Sequence, residues 1–337
     1  MPAVISHKRV CLRAGQRCTP GLARQYRQYG WRCPLSARLE RVPPSAGTTI
    51  AEISGASGQY VAAGEGAIWL AGAIGVLRVD PERNAVVDQI QLPLPETQQP
   101  YSLVSGIAAG EGGVWVSLLG HDEVARIDPA TDKIVARIPV GEAPAGIALT
   151  PGSVWVANRF GNSVSRIDAL TNRVVATIAL APGPRNGPTS IAGGAGAVWV
   201  VDPGLGGVVR IDPVTNEIVA LVPVPLPPNA PVGAIAADSA TGVWVAGADL
   251  MRIDPDTNRV VATVPTLALP VAVAVGLGSV WETSWFGWTA PCPLYRIDPA
   301  TNTVVGESSI DSGYSPVAVG FGSVWMQAHG LLRMRPR

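Results

Sequence analysis

Seven tryptophans, Trp69, Trp115, Trp155, Trp199, Trp244, Trp281 and Trp325, occupy one position in seven copies of a single short pattern, at intervals of 46, 40, 44, 45, 37 and 44 residues. Each follows a Gly-x-Gly or similar turn and a small or β-branched pair. Periods in this range belong to propellers, solenoids or arrays, whose unit is too small to bury its own apolar face and must stack on its neighbours. The repetition constrains the fold strongly and the chemistry weakly.

The third copy shows the unit most plainly. Gly146 to Leu149, Ser153 to Ala157, Val164 to Asp168 and Arg173 to Ile178 are short runs rich in Val, Ile and Trp, separated by Pro151-Gly152, by the loop from Asn158 to Asn162 and by a turn through Thr171-Asn172. No stretch carries apolar residues at helical spacing over three turns, so the chain reads as all-β. Strands about ten residues apart with short links pair as antiparallel neighbours, which makes each copy a four-stranded meander. The strands read as near-continuous apolar runs and need burial on both faces; radial packing of seven sheets supplies it.

The two ends of the chain complete one another. The last copy offers three strands, Ser315 to Val319, Ser323 to Met326 and Leu331 to Arg335, and the chain ends at Arg337. The fourth is found at the other end, where Thr49-Ile50-Ala51-Glu52-Ile53 matches Val174-Val175-Ala176-Thr177-Ile178 position for position. A seven-bladed β-propeller of four-stranded antiparallel blades follows, closed by an N-terminal strand that completes the C-terminal blade and removes the open sheet edge. A solenoid would instead need polar caps at both ends.

The turn between third and fourth strands is Asp-Pro-x-Thr-Asn or a near variant, starting at Asp80, Asp128, Asp168, Asp212, Asp254 and Asp298. Asp at the first position accepts from backbone N–H groups two residues on, Pro presets φ, and Asn tolerates the left-handed region. These aspartates are expected to cap turns rather than do chemistry. Two residues before each stands an arginine, Arg78, Arg126, Arg166, Arg210, Arg252 and Arg296, with Arg333 in the last copy. Repeated ion pairs or the covering of apolar edges is the expected role.

The run Ser-Val-Trp-Val-Ala-Asn, then Val-Ser-Arg-Ile-Asp, then Asn-Arg-Val-Val-Ala-Thr-Ile between 153 and 178 resembles the YVTN-type β-propeller repeat of bacterial surface, periplasmic and secreted proteins, itself related in pattern to NHL propellers and to streptogramin (virginiamycin B) lyases. The resemblance covers 48–337 and implies a binding platform rather than a particular chemistry, because fold does not carry function with it. The lyase branch implies a Trp-Phe-Thr-Glu type strand and a His and Glu constellation assisted by a divalent metal such as Mg. Here the corresponding strands read Trp-Val-Ala-Asn at 155 to 158 and Trp-Val-Val-Asp at 199 to 202, and Trp281-Glu282-Thr283-Ser284 alone carries a Glu, at a different offset. The lyase's catalytic residues therefore do not transfer by position. Glu282, His329 and His121 remain the weak candidates for an acid, base or metal cluster, and no metal or other cofactor is expected outside that alternative.

Near-identical short turns build one face of the ring, while the links between strands two and three and between blades differ from copy to copy. A face of individual loops around a central channel is the expected binding surface. Its candidates are Tyr101 with Gln98 and Gln99, His121 with Asp122 and Glu123, Asn158-Arg159-Phe160, Arg185-Asn186, Asp202, Glu282, Tyr314 and His329. The blade-six insertion from Glu282 to Pro293 adds Trp285, Phe286 and Trp288, either a stacking surface for a sugar, peptide or planar ligand or a local mini-core. A metal at His121 and His329 would need Glu282 or Asp202 brought beside them.

Residues 1–47 are a different material, with nine Lys or Arg, one acid (Glu40) and three of the four cysteines. They are expected to be a basic, disordered extension. Subtracting them from 25 basic and 25 acidic residues leaves 16 and 24, so residues 48–337 carry a balance of −8, which discourages nucleic-acid binding by the ring. No apolar run reaches the roughly 18 residues that a membrane helix requires. The resemblance suggests a periplasmic or secreted protein, yet no apolar segment of signal-peptide length follows Lys8-Arg9. Cys11, Cys18 and Cys33 show neither zinc spacing nor a partner pattern, and Cys292 stands alone in the propeller. The expectation is a monomeric propeller that binds a small molecule or protein on its loop face without catalysis, with a lyase as one alternative and a structural, adhesive surface propeller as another.

Overall fold

The computed structural model describes residues 43–92, 104–180, 187–226, 234–266, 269–285, 292–310 and 315–337, with short pieces at 2–5, 8–11, 16–18, 26, 31–32 and 40–41. Seven four-stranded antiparallel sheets are formed, six of them meanders in sequence order and the seventh completed by Gly47–Ile53. In blade three the strands are Pro144–Thr150, Ser153–Asn158, Ser163–Asp168 and Arg173–Ala179. The first strand of each blade touches the first strands of the blades before and after it, and Val317–Gly320 of blade seven touches Tyr60–Gly64 of blade one. A closed seven-bladed β-propeller results, with the first strands innermost.

The closure is the expected one. Gly47–Ile53 pairs antiparallel with Leu331–Pro336, with Leu331 opposite Ile53 and Arg333 opposite Ala51. The ring's own material begins slightly before residue 48: the Glu307 N–H donates to the Pro44 carbonyl at 2.8 Å, and Ala46 is wholly buried beside Met334 and Ile310. Short antiparallel ladders join Pro2–Ile5 to Lys8–Cys11 and Trp31–Arg32 to Glu40–Arg41 within the N-terminal segment, and Cys18 is disulfide-bonded, a pairing that the cysteine spacing did not reveal. Cys292 is a buried thiol.

The second strands are buried on both faces between blades, which is why they are mainly apolar. Ala67–Gly72, Gly113–Leu118, Ser153–Asn158 and Ala197–Asp202 are buried at every position, and all seven repeat tryptophans are fully buried. The fourth strands differ from the near-continuous burial expected of them. Lys133–Pro139 alternates exposed and covered, and Val135, Val175, Val219 and Val261 are about half exposed because nothing packs outside the last strand of a blade. β-Branched residues still suit these positions, since their restricted χ1 fits an extended chain. In all seven blades the third and fourth strands slip register at the residue after the repeat arginine, a bulge that increases the twist each blade needs to fit its neighbours.

The repeat turns sit on the face opposite the variable loops. Asp80 Oδ1 accepts from the N–H groups of Glu82 and Arg83 at 2.8 and 3.0 Å, and Asp128, Asp212, Asp254 and Asp298 accept in the same way. Those backbone donors hold Asp80, Asp128, Asp168, Asp212 and Asp254 below the ordinary aspartate pKa. The last turn residue takes positive φ, as at Asn172 (57°) and Asn216 (62°).

The arginines work between blades as well as within them, as where Arg166 Nε donates to Ser153 Oγ of its own blade. Each lies over its own blade's tryptophan at 4.9 to 5.8 Å from the ring centroid. From there Arg166 Nη1 donates to the Pro213 carbonyl and Asn216 Oδ1 of the next blade, at 2.7 and 2.8 Å. Arg210, Arg252 and Arg333 repeat this on Asn258, Asn302 and Asn84, the last reaching from blade seven to blade one. Ion pairing, one of the expected roles, occurs at Arg78, whose partner in blade two is Asp132 (2.8 Å) where other turns carry Asn. Arg296 meets the Arg337 carbonyl, because blade seven has no such turn.

Candidate functional site

The innermost strands begin at the loop face, and there they enclose a cavity of about 480 Å³ to which every blade contributes. Its walls are small because the strands converge. A Cβ on Gly106 would lie 2.6 Å from the Ala145 carbonyl oxygen, and one on Gly146 would lie 3.0 Å from the Ser190 Cα, so larger residues would push the blades apart. Val61, Ile107, Ile147, Ile191, Val273 and Val317 supply an apolar lining, to which Gln59, Tyr60, Ser105, Thr189 and Ser190 add polar groups. Burial pushes the Tyr60 phenol above its ordinary pKa, so it presents a neutral hydroxyl.

Several hydroxyls near the channel are committed to holding it together. Ser105 Oγ donates to the Pro144 carbonyl at 2.5 Å, and Ser117 Oγ donates to the Ala145 carbonyl at 2.6 Å, joining blade two to blade three. Thr283 Oγ1 does the same for blades six and seven through the Ser315 carbonyl, at 2.6 Å. Gln327 ties blade seven to blade one through the Ala56 carbonyl and the Gly58 N–H. The second residue after the repeat tryptophan is thus polar wherever it latches the next blade's innermost strand.

Arg159 is the charged side chain among the residues lining this cavity. Its backbone N–H donates to the Ala143 carbonyl at 2.9 Å, which fixes the loop, and its guanidinium lies 5.8 Å from the Phe160 ring centroid. The Nε is buried and has no hydrogen-bond partner among the described residues, and no ion pair involves Arg159 among them.

The other expected site residues are dispersed. Asn158, next to Arg159, is wholly buried and donates to Ser163 Oγ and Ser165 Oγ at 3.0 and 2.9 Å, a local structural role. Asp202 is buried at the end of its strand, accepts from the Leu205 N–H at 3.1 Å, and has its pKa raised by burial against that hydrogen bond. His121 lies in the turn of blade two with a buried Nε2 that has no partner among the described residues, while His329 is exposed on blade seven. Among the described residues no three His, Cys, Asp or Glu side chains gather where they could hold a metal ion. Tyr101, Arg185, Phe286, Trp288 and Tyr314 lie outside the described residues, and Trp285 is described by its backbone alone, paired with Leu269.

Glu282 is not a loop residue. The second strand of blade six runs on through Ser279–Trp285, and Glu282 pairs with Val273 on one side and Tyr295 on the other. Leu70, Val116, Val156, Val200, Val245 and Met326 hold the same position in the other blades, one residue after the tryptophan. Glu282 is therefore a carboxyl in an aliphatic slot, fully buried, with Ser284 Oγ donating to its Oε1 at 2.5 Å and no partner for Oε2 among the described residues. Burial pushes its pKa up to about 8, against the pull of Ser284.

Solved structures share this architecture. A streptogramin B lyase superposes with a TM-score of 0.66 at 19% identity, covering 87% of this chain and 96% of that one. A computationally designed protein, Ika8, gives 0.60 at 12% identity over 86% of this chain and 100% of its own, and the Kuenenia stuttgartiensis hydrazine synthase gives 0.51 at 16% over 70% and 77%. No protein-family model matches the chain, and no curated protein is similar to it. Identities this low establish likeness of fold and nothing beyond it.

Proposed function

We propose that this chain is a ligand-binding propeller that takes a small molecule at the loop-face end of its central channel. The observation that carries the reading is the cavity of about 480 Å³, within the size range of small-molecule sites, built by residues of all seven blades and opening where the variable loops lie. A lyase reading has less to stand on: Glu282 is sealed between strands, and His121 and His329 sit on blades two and seven.

The test is a thermal-shift screen of sugars, carboxylates, amines, planar aromatics and divalent metals on the full chain, repeated on Ile147→Trp, which fills part of the channel. A saturable rise in melting temperature in the native protein that disappears in the variant supports the reading. A rise of equal size in both proteins places the ligand elsewhere and refutes it. Turnover of a lactone without any need for an open channel would favour the lyase.

A further inference from the structure

We infer that the channel selects an amphipathic anion, an apolar body ending in a single carboxylate or comparable oxyanion, with Arg159 as its counter-ion. This rests on the channel being the binding site and goes on to assign the chemistry it accepts. Three observations point the same way. The wall is mainly aliphatic, fit for a hydrocarbon or aromatic body. Arg159 alone among the lining residues carries a charge, and it has no acidic partner among the described residues. Its Nε is shielded from water and makes no hydrogen bond among the described residues, as is also true of Arg126 and Arg210, but Arg159 lacks the Nη1 acceptors that those two have there.

The contrast with the repeat arginines sharpens the point. Arg126, Arg166, Arg210, Arg252 and Arg333 each spend Nη1 on a carbonyl and an Asn of the next blade. Arg159 stands outside the repeat position, lies against the half-exposed Phe160 and has no such acceptors among the described residues. A guanidinium fork that lies against a ring on one side is matched to a bidentate carboxylate on its free edge. Ser190 lies on the same wall and adds a hydroxyl for the anion's remaining lone pairs, whereas the Thr189 hydroxyl already donates to the Val201 carbonyl. The net balance of −8 over residues 48–337 does not oppose this, because charges more than about 8–10 Å away are largely screened at physiological salt.

The probes are 4-phenylbutyrate, 4-phenylbutanol and 4-phenylbutylamine, which share one apolar body and differ in the charge of the head. Binding is measured by calorimetry on the full-length native chain and on Arg159→Gln, Arg159→Lys and Ile147→Trp. The carboxylate is expected to bind the native protein at least about tenfold tighter than the alcohol, with the amine weakest. Arg159→Gln should bring acid and alcohol to the same affinity without changing the alcohol's, and Arg159→Lys should keep a reduced preference for the acid. Equal affinity of acid and alcohol in the native protein, or a preference that survives Arg159→Gln, overturns the anion assignment while the channel remains the site. Binding undiminished in Ile147→Trp, or no binding of any probe at millimolar concentration, overturns the channel reading and the assignment with it.

Discussion

Replacing Glu282 by methionine, the residue that blade seven uses at the same position, should make the protein more stable, and increasingly so as pH rises from 5 to 8. The carboxyl's ordinary pKa of 4.5 is raised to about 8 by complete burial. A raised acid pKa means that the folded state keeps its proton in a range where the unfolded chain has lost it. The unfolded state then binds fewer protons, and stability falls with increasing pH. The favourable contribution is intact below about pH 4.5, declines between 4.5 and 8, and is gone above 8. At about 1.4 kcal/mol per unit, the span from 4.5 to about 8 amounts to roughly 5 kcal/mol, of which about 3 kcal/mol is lost by pH 7. Glu282→Met removes the titration and returns an apolar side chain to an aliphatic slot. Guanidinium unfolding of both proteins at half-unit steps from pH 5 to 9 measures the difference. The capping aspartates, whose pKa values lie below the ordinary one, stay ionised throughout that range and do not contribute to the slope. Glu282→Gln separates charge from polarity: it should flatten the pH dependence with a smaller gain in stability. Two curves that run parallel from pH 5 to 8, or a methionine variant less stable at pH 8, would refute the reasoning.

Arg166→Ala removes hydrogen bonds to Pro213 and Asn216 and the stacking on Trp155, and is expected to cost about 2–4 kcal/mol in denaturant unfolding without altering ligand binding on the other face. Asn216→Ala, at φ 62°, should cost about 1–2 kcal/mol, and Asn216→Gly less than the alanine because glycine adopts that φ freely while still losing the bond from Arg166. Removing residues 1–42 should leave the melting temperature nearly unchanged, whereas removing 1–53 opens the edge of Leu331–Pro336 and should produce aggregation or a loss of cooperative unfolding in calorimetry. Below about pH 4, stability should fall as the turn aspartates take up protons, since their native pKa values lie below the ordinary one; a flat acid limb in the same unfolding experiments would contradict this.

The ring was legible because its determinants are local and repeated. Seven tryptophans, six Asp-initiated turns and the match of Thr49–Ile53 to Val174–Ile178 each state the same architecture, and closure follows from counting strands. What the repeats hid is contact between blades. Nothing in the run Arg166-Ile167-Asp168 shows that the arginine spans to Asn216 of the next blade instead of pairing with its own aspartate, because that depends on how the blades are splayed. The register slip after each arginine is invisible for the same reason: it is a property of two strands, not of one. The site was partly legible. The sequence puts Arg159 on a loop, but its place at the channel depends on the loop being pinned by the Ala143 carbonyl. The aromatic and proline-rich run after Glu282 reads as an insertion and predicts a loop there, whereas the strand continues to Trp285. Aligning the seven copies at the tryptophan gives the signal that could have placed it, since the other six residues in that column are Leu, Val or Met.

Arg159 and Glu282 are both departures from the repeat, and comparing them shows what separates a binding residue from a structural compromise. Each brings a charge-bearing group into surroundings that elsewhere in the ring are neutral, and each leaves a polar atom unsatisfied among the described residues. Their solutions differ. Glu282 can relieve the cost of burial by holding its proton, as a carboxyl in an apolar slot does, so the ring tolerates it without any outside partner. An arginine has no such escape, since a guanidinium stays protonated at any pH the fold experiences. Its charge must be matched by an acceptor or remain a standing cost, and the cavity that Arg159 lines is where an acceptor can enter. The repeat arginines are poorer candidates despite being more numerous: Arg126 and Arg210 also leave Nε without a partner among the described residues, but each of the seven lies on a tryptophan and donates from Nη1 to the neighbouring blade. In a ring of near-identical sheets, the residue to test first is therefore the one that breaks the repeat, cannot neutralise itself and faces open volume.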